Sequence, residues 1–433
     1  MSANSRPRDA VIIGAGIVGI CAALALQRAG CRVTLIDRNA PGSGCSSGNA
    51  GGITPSAVVP VATPGIVAAV PKMLIDPLSP LAIRLSYLPH LLPWLLRFLR
   101  AGAPDRVAAI SASLKAILDR SVDSWAELLD ETGTTALWRR QGLLYVYESD
   151  AAWRAVQRDH EMRRRKGFTV ETLGTDELRQ MLPALSRGHR FGAFIPACAH
   201  VVNPQRLCQA LAEAFRQRGG TVVEAEVTGL DLRVPTEPRI LHRDGDLAAD
   251  VAVIAAGAHS RKLAAAAGAP VPLDTERGYH AMLPKPGIDI ALPLMSGDGK
   301  FAVTPMEHGL RLAGTVELGG LAAAPNFERA RILISQAKRM FPGLSDEDAE
   351  FWMGFRPSLP DSLAVIGPAP GAPSVILAFG HGHLGLTLGA VTGRLVAALA
   401  TGQSPAIDLA AFRADRFGWR GRKPAMYTST RAT

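Results

Sequence analysis

Apolar residues fall into short unbroken runs near both ends of the chain and into helical or alternating patterns between them. The first run, Ala10-Val11-Ile12-Ile13, enters the turn Gly14-Ala15-Gly16-Ile17-Val18-Gly19, and spaced apolar positions after it predict a helix. Val33-Thr34-Leu35-Ile36 predicts a second strand that ends on Asp37. Residues 9 to about 55 thus read as a βαβ unit followed by a glycine-rich loop. Helical spacing recurs over 107–131, and 143–147 predicts a strand followed by a helix across 151–165. Asn203 is a natural N-cap with Pro204 at the first helical position, and that helix runs to Arg218 before Gly219-Gly220. Strands are predicted at 221–223, 226–232 and 239–242. Residues 250–257 are almost wholly apolar and end on small residues, as in strands buried on both faces. Strands at 279–283, 301–304 and 310–316 and a helix over 326–341 follow. A last strand, 374–379, runs into Gly380-His381-Gly382-His383-Leu384-Gly385 and a helix to about Ala400.

The first and last blocks share a design of apolar strand, glycine turn and helix. That predicts an α/β chain of two domains with a Rossmann-like nucleotide-binding domain. Its segments are 1–60, 190–268 and 350–433, and a substrate domain of 61–189 and 269–349 is inserted between them. The stretch 60–105, rich in proline and leucine, has no clear pattern.

Composition narrows this picture. The 433 residues are 48% hydrophobic, enough for two or three cores. The net charge of +9 is dispersed. Its one compact run, Arg163-Arg164-Arg165-Lys166, reads as a helix C-terminus favoured by the macrodipole, so nucleic-acid binding is not expected. Cys21, Cys31, Cys45, Cys198 and Cys208 form no C-x-x-C pair and no metal-ligand spacing, which points to a reducing, cytoplasmic setting without a metal. No secretory signal is expected from residues 1–9. The apolar segment 85–99 is interrupted by Pro89, His90, Pro93 and Arg97 and is too short to span a bilayer. It predicts a covering helix or loop, with peripheral contact on the inner face of a membrane as the alternative.

The glycine turn has a definite chemistry. Gly14 permits the tight turn, Gly16 lets backbone approach a pyrophosphate, and Gly19 lets the helix pack on the strands. Backbone at Ala15, Ile17 and Val18 then meets the phosphates, while Asp37, with Arg38 beside it, receives the ribose. Three further glycine segments distinguish FAD from NAD. They are the loop with Ser46, Ser47, Asn49, Ala50, Gly51 and Gly52, the strand end Ala256-Gly257, and the 380–385 turn. An extended FAD would use all of them. N–H groups at Gly382, His383, Leu384, Gly385, Leu386 and Thr387 would face the flavin pyrimidine ring. Val227 and Gly354 complete the candidate cofactor contacts.

These motifs, with Glu276-Arg277-Gly278-Tyr279-His280, the segment 354–361 (GFRPSLPD) and GHGHLGLTLGAVTGR, resemble the FAD-dependent D-amino-acid dehydrogenases. These lie within the D-amino-acid oxidase, glycine oxidase and sarcosine oxidase superfamily. The HGHLGLT form is also similar to hydroxy-D-proline dehydrogenases. The resemblance implies an FAD domain of the glutathione-reductase type and a substrate domain whose large mixed or antiparallel sheet roofs the flavin. It implies oxidative deamination of D-amino acids, cyclic ones such as hydroxy-D-proline included, with electrons passed to a quinone or other non-oxygen acceptor. The D preference comes wholly from the resemblance, and the oligomeric state is left open. An oxygen-reducing glycine or sarcosine-type oxidase is the near alternative, and an electron-relay flavoprotein subunit the distant one.

Such chemistry moves the Cα hydrogen as hydride to flavin N5 from a neutral amine, so the protein must hold a carboxylate and aim the Cα–H. Arg356 offers the planar fork of donors that matches a carboxylate. Tyr279 and His280 are further candidates, of which strand alternation lets one face the site. Of His381 and His383, one is expected to line the pocket, which makes His383 a candidate, and the other to cap backbone. Cys45 is expected to be a free buried thiol.

Overall fold

The opening apolar run becomes the centre of a parallel sheet. Its order is Thr221–Glu224, Arg32–Asp37, Asp9–Ile13, Val251–Ile254 and Ala372–Phe379, with Val365–Ala369 antiparallel at the edge. In this computed structural model residues 6–64 and 80–418 and the backbone of 427–428 are described. Residues 1–5, and 65–79 of the proline- and leucine-rich stretch, lie outside them. The helices Ile17–Arg28 and Gly385–Ala400 lie against each other on one face of the sheet, close enough that a Cβ on Gly393 would stand 2.5 Å from the Cys21 carbonyl. Leu386, Ala390 and Val396 share a core there with Ile17, Ile20 and Leu24. The predicted N-cap is present: Asn203 Oδ1 accepts from Arg206 N at 3.0 Å at the start of Pro204–Gln217.

The second domain is built on a nine-stranded mixed sheet. Its main order is Glu350–Ser358, Asp274–Leu283, Gly309–Leu318, Phe301–Met306, Leu294–Ser296, Leu143–Tyr147, Phe191–Ile195 and Glu171–Leu173, with Leu81–Ile83 pairing to Gly309–Leu318. One face is covered by Glu328–Met340, whose Leu333, Ile334 and Ala337 pack on Phe301, Leu310 and Leu312.

Three segments differ from the sequence reading. Strands Phe191–Ile195 and Glu350–Ser358, expected in the nucleotide domain, belong to the substrate sheet. An apolar strand carries no local mark of which sheet it joins. Conversely, the helical pattern over 107–131, expected in the substrate domain, forms Pro104–Leu118 and Ser121–Glu131 against the nucleotide domain. Trp125 and Leu129 join the core of Ile17–Arg28, and Leu114 and Leu118 meet Leu388 and Val391. Trp125 Nε1 donates to the Leu386 carbonyl at 2.9 Å, which fixes it there.

The apolar segment 85–99 lies mostly in a helix, Leu88–Ala101, with Pro93 inside it. Leu91 and Trp94 face inward beside Leu318. Leu88, Leu92, Leu96 and Leu99 face outward, in line with Leu85, which is 83% exposed.

Candidate active site

The nucleotide end forms where the first strand meets its helix. Gly14 has φ +110°, and a Cβ there would stand 2.5 Å from the Ala255 carbonyl oxygen. A Cβ on Gly19 would strike the Gly14 carbonyl. The turn therefore admits only glycine at both points, and the first helical N–H groups stay at the surface of the turn. Ser46 Oγ accepts from Ile17 N at 3.0 Å, so its hydroxyl lies at the positive end of the helix, where a phosphate would be held. Asp37 is half-buried beside it. Its Oδ2 accepts from Ala15 N at 2.7 Å and its Oδ1 from Asn39 N at 3.0 Å, which leaves a lone pair on each oxygen for ribose hydroxyls. Arg38 donates to His259 Nε2 and lies 3.7 Å from Glu226, next to Val227 at the strand start.

The fit to a dinucleotide extends along the groove. Gly257 and Gly382 both have left-handed backbone, φ +54° and +55°, and nothing stands within 4 Å of where a Cβ would be. Open space therefore lies before glycines on both nucleotide-domain segments, at the end of Val251–Ile254 and at the start of the last helix. Residues 46–52 line the same groove, held in shape by Asn49 Oδ1, which accepts from Gly51 N at 2.7 Å. Ser47 Oγ donates back to the Gly44 carbonyl, and Thr387 Oγ1 donates to the Gly52 carbonyl. These two side chains therefore shape the loop. Of the other candidate cofactor contacts, Gly16, Val18, Ala50, Ala256 and Gly385 are partly exposed, while the side chains of Leu384 and Leu386 are buried in the cores around the last helix.

Two residues outside the sequence-derived set grip this loop from the substrate sheet. Arg311 Nη1 donates to the carbonyls of Asn49 (2.6 Å) and Ser47 (3.1 Å). Trp352 packs flat against Gly48, where any Cβ would clash with its ring. Arg311, with Glu317 one of two charged residues in the strand Gly309–Leu318, carried no sequence signal that set it apart.

On the same face lies Arg356, half-buried on Glu350–Ser358. Its guanidinium leans over Gly278, where a Cβ would approach Cζ to 2.3 Å. Nη1 donates to the Thr315 carbonyl at 3.1 Å, and Nη2 reaches the Gly314 carbonyl at 3.5 Å. Thr315 has φ +53°, a costly conformation for a β-branched residue, and it turns that carbonyl toward the guanidinium. Among the described residues no carboxylate pairs with Arg356. Gly354, two residues earlier, is covered by the ring of Trp352.

Tyr279 and His280 are corrected by the strand geometry. Tyr279 points to the opposite face, where its hydroxyl donates to Glu317 and accepts from Asn326 N. His280 does face the cofactor groove, but Nδ1 sits 3.0 Å from the Gly48 carbonyl and the ring stacks on Trp352 at 5.0 Å. Burial, with the Arg311 charge, holds its pKa down to about 3. It is a neutral clamp on the loop and not an acid–base group.

The two histidines of the last turn divide the tasks. His381 is buried, with Nε2 3.0 Å from Thr392 Oγ1, and burial lowers its pKa to about 4. His383 is solvent-accessible, yet protein surrounds it closely enough that burial lowers its pKa. Arg356 adds to that shift and Glu276 opposes it. Accessibility and close surroundings together place His383 on the wall of a cleft, near both charges. Cys45 is a half-buried thiol raised by burial to about 11, hence unreactive.

Known proteins match this arrangement over nearly the whole chain. A family profile described as FAD dependent oxidoreductase matches residues 9–399. A D-amino-acid oxidase of Bradyrhizobium diazoefficiens is 41% identical over 423 residues, covering 95% of this chain and 99% of the relative. A D-amino acid dehydrogenase of Vibrio vulnificus is 30% identical over 402 residues, 91% of this chain and 96% of its own. The solved glycine oxidase of Geobacillus kaustophilus superposes with a TM-score of 0.71 at 22% identity, covering 95% of this chain and 99% of that one, and so shares the fold. The glycine turn, Asp37 and the left-handed glycines along the groove thus have their explanation: the chain belongs to the FAD dependent oxidoreductase family, and FAD is its cofactor.

Proposed function

We propose that this enzyme oxidises D-amino acids at the Cα–N bond, cyclic ones such as hydroxy-D-proline included, and hands the electrons to a quinone-type acceptor at a membrane surface. The observation that carries the substrate class is Arg356, a guanidinium fixed by two carbonyls on the groove side of the sheet and, among the described residues, lacking a carboxylate partner. A substrate carboxylate supplies that partner, and a charge-assisted fork orients it. The names of the two relatives, an oxidase and a dehydrogenase of D-amino acids, support the same substrate class. FAD, when bound, takes up the hydride. Arg356 fixes the Cα–H by holding the carboxylate. His383, held neutral by burial, adds no positive charge beside the amine, which must itself be neutral to react.

The acceptor is read from the outward row Leu85, Leu88, Leu92, Leu96 and Leu99 beside Arg97 and Arg100. An apolar stripe with basic neighbours on a net-positive chain favours an anionic bilayer, where quinones reside. The second reading, reduction of oxygen, is favoured by the oxidase name of the more similar of these two relatives. Purified holoenzyme is mixed anaerobically with a panel of D- and L-amino acids and prolines, and flavin bleaching is followed. Bleaching by D-amino acids, with slow recovery in air and fast recovery on adding a soluble quinone, is the expected result. No bleaching by any D-amino acid would sink the substrate class, and rapid recovery in air would replace the acceptor with oxygen.

A further inference from the structure

Arg356 reaches across a whole strand to be held. The strand that carries it, Glu350–Ser358, pairs with Asp274–Leu283, and its two carbonyl partners lie one strand further, on Gly309–Leu318. The crossing is made at Gly278. A Cβ there would stand 2.3 Å from Cζ of Arg356, 2.4 Å from Nη2 and 2.7 Å from Nε, and these are its three nearest atoms. Any side chain at 278 would therefore occupy the place of the guanidinium.

A break in register supplies the acceptors. Arg277 pairs with Glu317 and Tyr279 with Gly314, so Thr315 and Val316 together stand opposite Gly278. A bulge of this kind leaves its extra residue out of the ladder and bends the strand. Thr315 is held there at φ +53° and is 4% exposed, and its carbonyl accepts from Nη1 at 3.1 Å. Behind the bulge, Gly314 packs so closely that a Cβ on it would stand 2.6 Å from Phe301 Cβ, so the acceptors are backed by the core of the sheet. Of the five N–H groups of a guanidinium, two serve these carbonyls, and the others are left for a carboxylate.

We propose that Gly278 is a positioning residue for the oxidation: its bare backbone lets Arg356 lie across the strand onto the Thr315 bulge, and so sets where the substrate carboxylate, and with it the Cα–H, is held. The assignment rests on the reading that Arg356 holds the α-carboxylate. It applies to acyclic and cyclic substrates alike, since it acts through the carboxylate they share. A methyl group at 278 would push the guanidinium from 2.3 Å to the 3.4 Å or more of ordinary contact, a retreat of about 1 Å, and misplacement on that scale costs about 100-fold where it misaims reacting atoms.

The test is a double-mutant cycle of Gly278→Ala with Arg356→Leu in the FAD-loaded enzyme. It is read by dye-coupled turnover of D-proline, or of whichever D-amino acid bleaches the flavin fastest, with flavin content measured for each variant. Gly278→Ala keeps the charge, so the expected loss is in kcat, roughly 10- to 100-fold, with KM within about fivefold and FAD retained. Arg356→Leu acts mainly on KM. Adding Gly278→Ala to it should cost less than about threefold more, because no guanidinium is left to displace. A folded G278A with kcat within about threefold of the unaltered enzyme overturns the proposal. So do losses that multiply in the double variant. If G278A does not fold, the double variant should fold and load FAD, since its methyl group has nothing to strike, and failure of the double variant overturns the proposal. An impaired R356L beside an unimpaired G278A removes Gly278 alone. Unchanged kinetics in R356L remove the reading of Arg356 and this assignment with it, as does a flavin that no D-amino acid reduces.

Discussion

Arg311 and Asn49 belong to different domains, and the guanidinium of one donates to the backbone carbonyl of the other at 2.6 Å. Ser47 offers a second carbonyl to the same nitrogen, and His280 holds the Gly48 carbonyl between them. Three consecutive residues of this loop, Ser47, Gly48 and Asn49, are thus shaped by side chains of the substrate sheet. The loop has internal hydrogen bonds as well, Gly51 N to Asn49 Oδ1 and Ser47 Oγ to the Gly44 carbonyl, so the sheet adds to a shape the loop partly sets itself.

Arg311→Met should therefore loosen cofactor binding while leaving both sheets intact. Hydrogen bonds from a charged donor contribute about 1.5–3 kcal/mol, and their loss here is expected as lower flavin content and a lower melting temperature. The flavin-to-protein absorbance ratio of the purified variant is the measurement. A variant with full flavin and unchanged melting would show that the loop holds its own shape.

Arg356→Leu separates substrate binding from cofactor binding. Arg356 leans on Gly278 and the 314–315 carbonyls and does not touch the glycine turn or residues 46–52 through any hydrogen bond. The variant should keep its FAD and lose roughly 100- to 1,000-fold in kcat/KM, mostly through KM, as expected when a charged pair is lost from a partly desolvated site. Unchanged kinetics would remove Arg356 from the site. Loss of flavin would make it a structural residue.

These two arginines also show what the sequence could reveal. The glycine turn and Asp37 were legible because their defining contacts are local, Asp37 reaching back to Ala15 and Gly19 to Gly14, although Gly14 also abuts the distant Ala255 carbonyl. Arg356 was found through a motif. Arg311 was missed because its contacts reach the Ser47 and Asn49 carbonyls, more than 260 residues earlier in the chain. The alternation argument separated Tyr279 from His280 correctly as to face. It could not show that the inward-facing one was already bound to Gly48. The domain boundaries failed for the same reason, since sheet membership of 191–195 and 350–358 is decided by long-range partners.

The outward leucines give the third prediction. Leu92 and Leu96 are one helical turn apart and about half exposed, 52% and 50%. Replacing both with glutamate should leave soluble-dye turnover of the holoenzyme intact and abolish co-sedimentation with vesicles of phosphatidylglycerol and phosphatidylcholine, because each change removes apolar burial and adds repulsion from the anionic surface. Quinone reduction in those vesicles should fall in parallel. Equal sedimentation of the altered and unaltered proteins, or none by either, would detach the leucine row from the acceptor.

Stability should depend on pH through a set of buried neutral histidines. His160, His200, His280 and His381 are each at most 6% exposed, and burial lowers their pKa from 6.5 to about 3, 4, 3 and 4. In the native protein they stay neutral where the unfolded chain would protonate them. Above about pH 6.5 neither state binds the proton, so the contribution to the pH slope is flat. Below it the unfolded state gains protons that the native state refuses, and stability falls as pH drops toward 4, by at most ~1.4 kcal/mol per pH unit for each histidine. Urea unfolding of the holoenzyme between pH 7.5 and 5.5 reads this slope in a range where carboxylates stay ionised in both states. His381→Gln, which can still bond Thr392, should reduce the slope by about one proton's worth. A slope unaffected by that change would mean His381 accepts a proton in the native state, which its burial against Thr392, with no carboxylate partner among the described residues, does not allow.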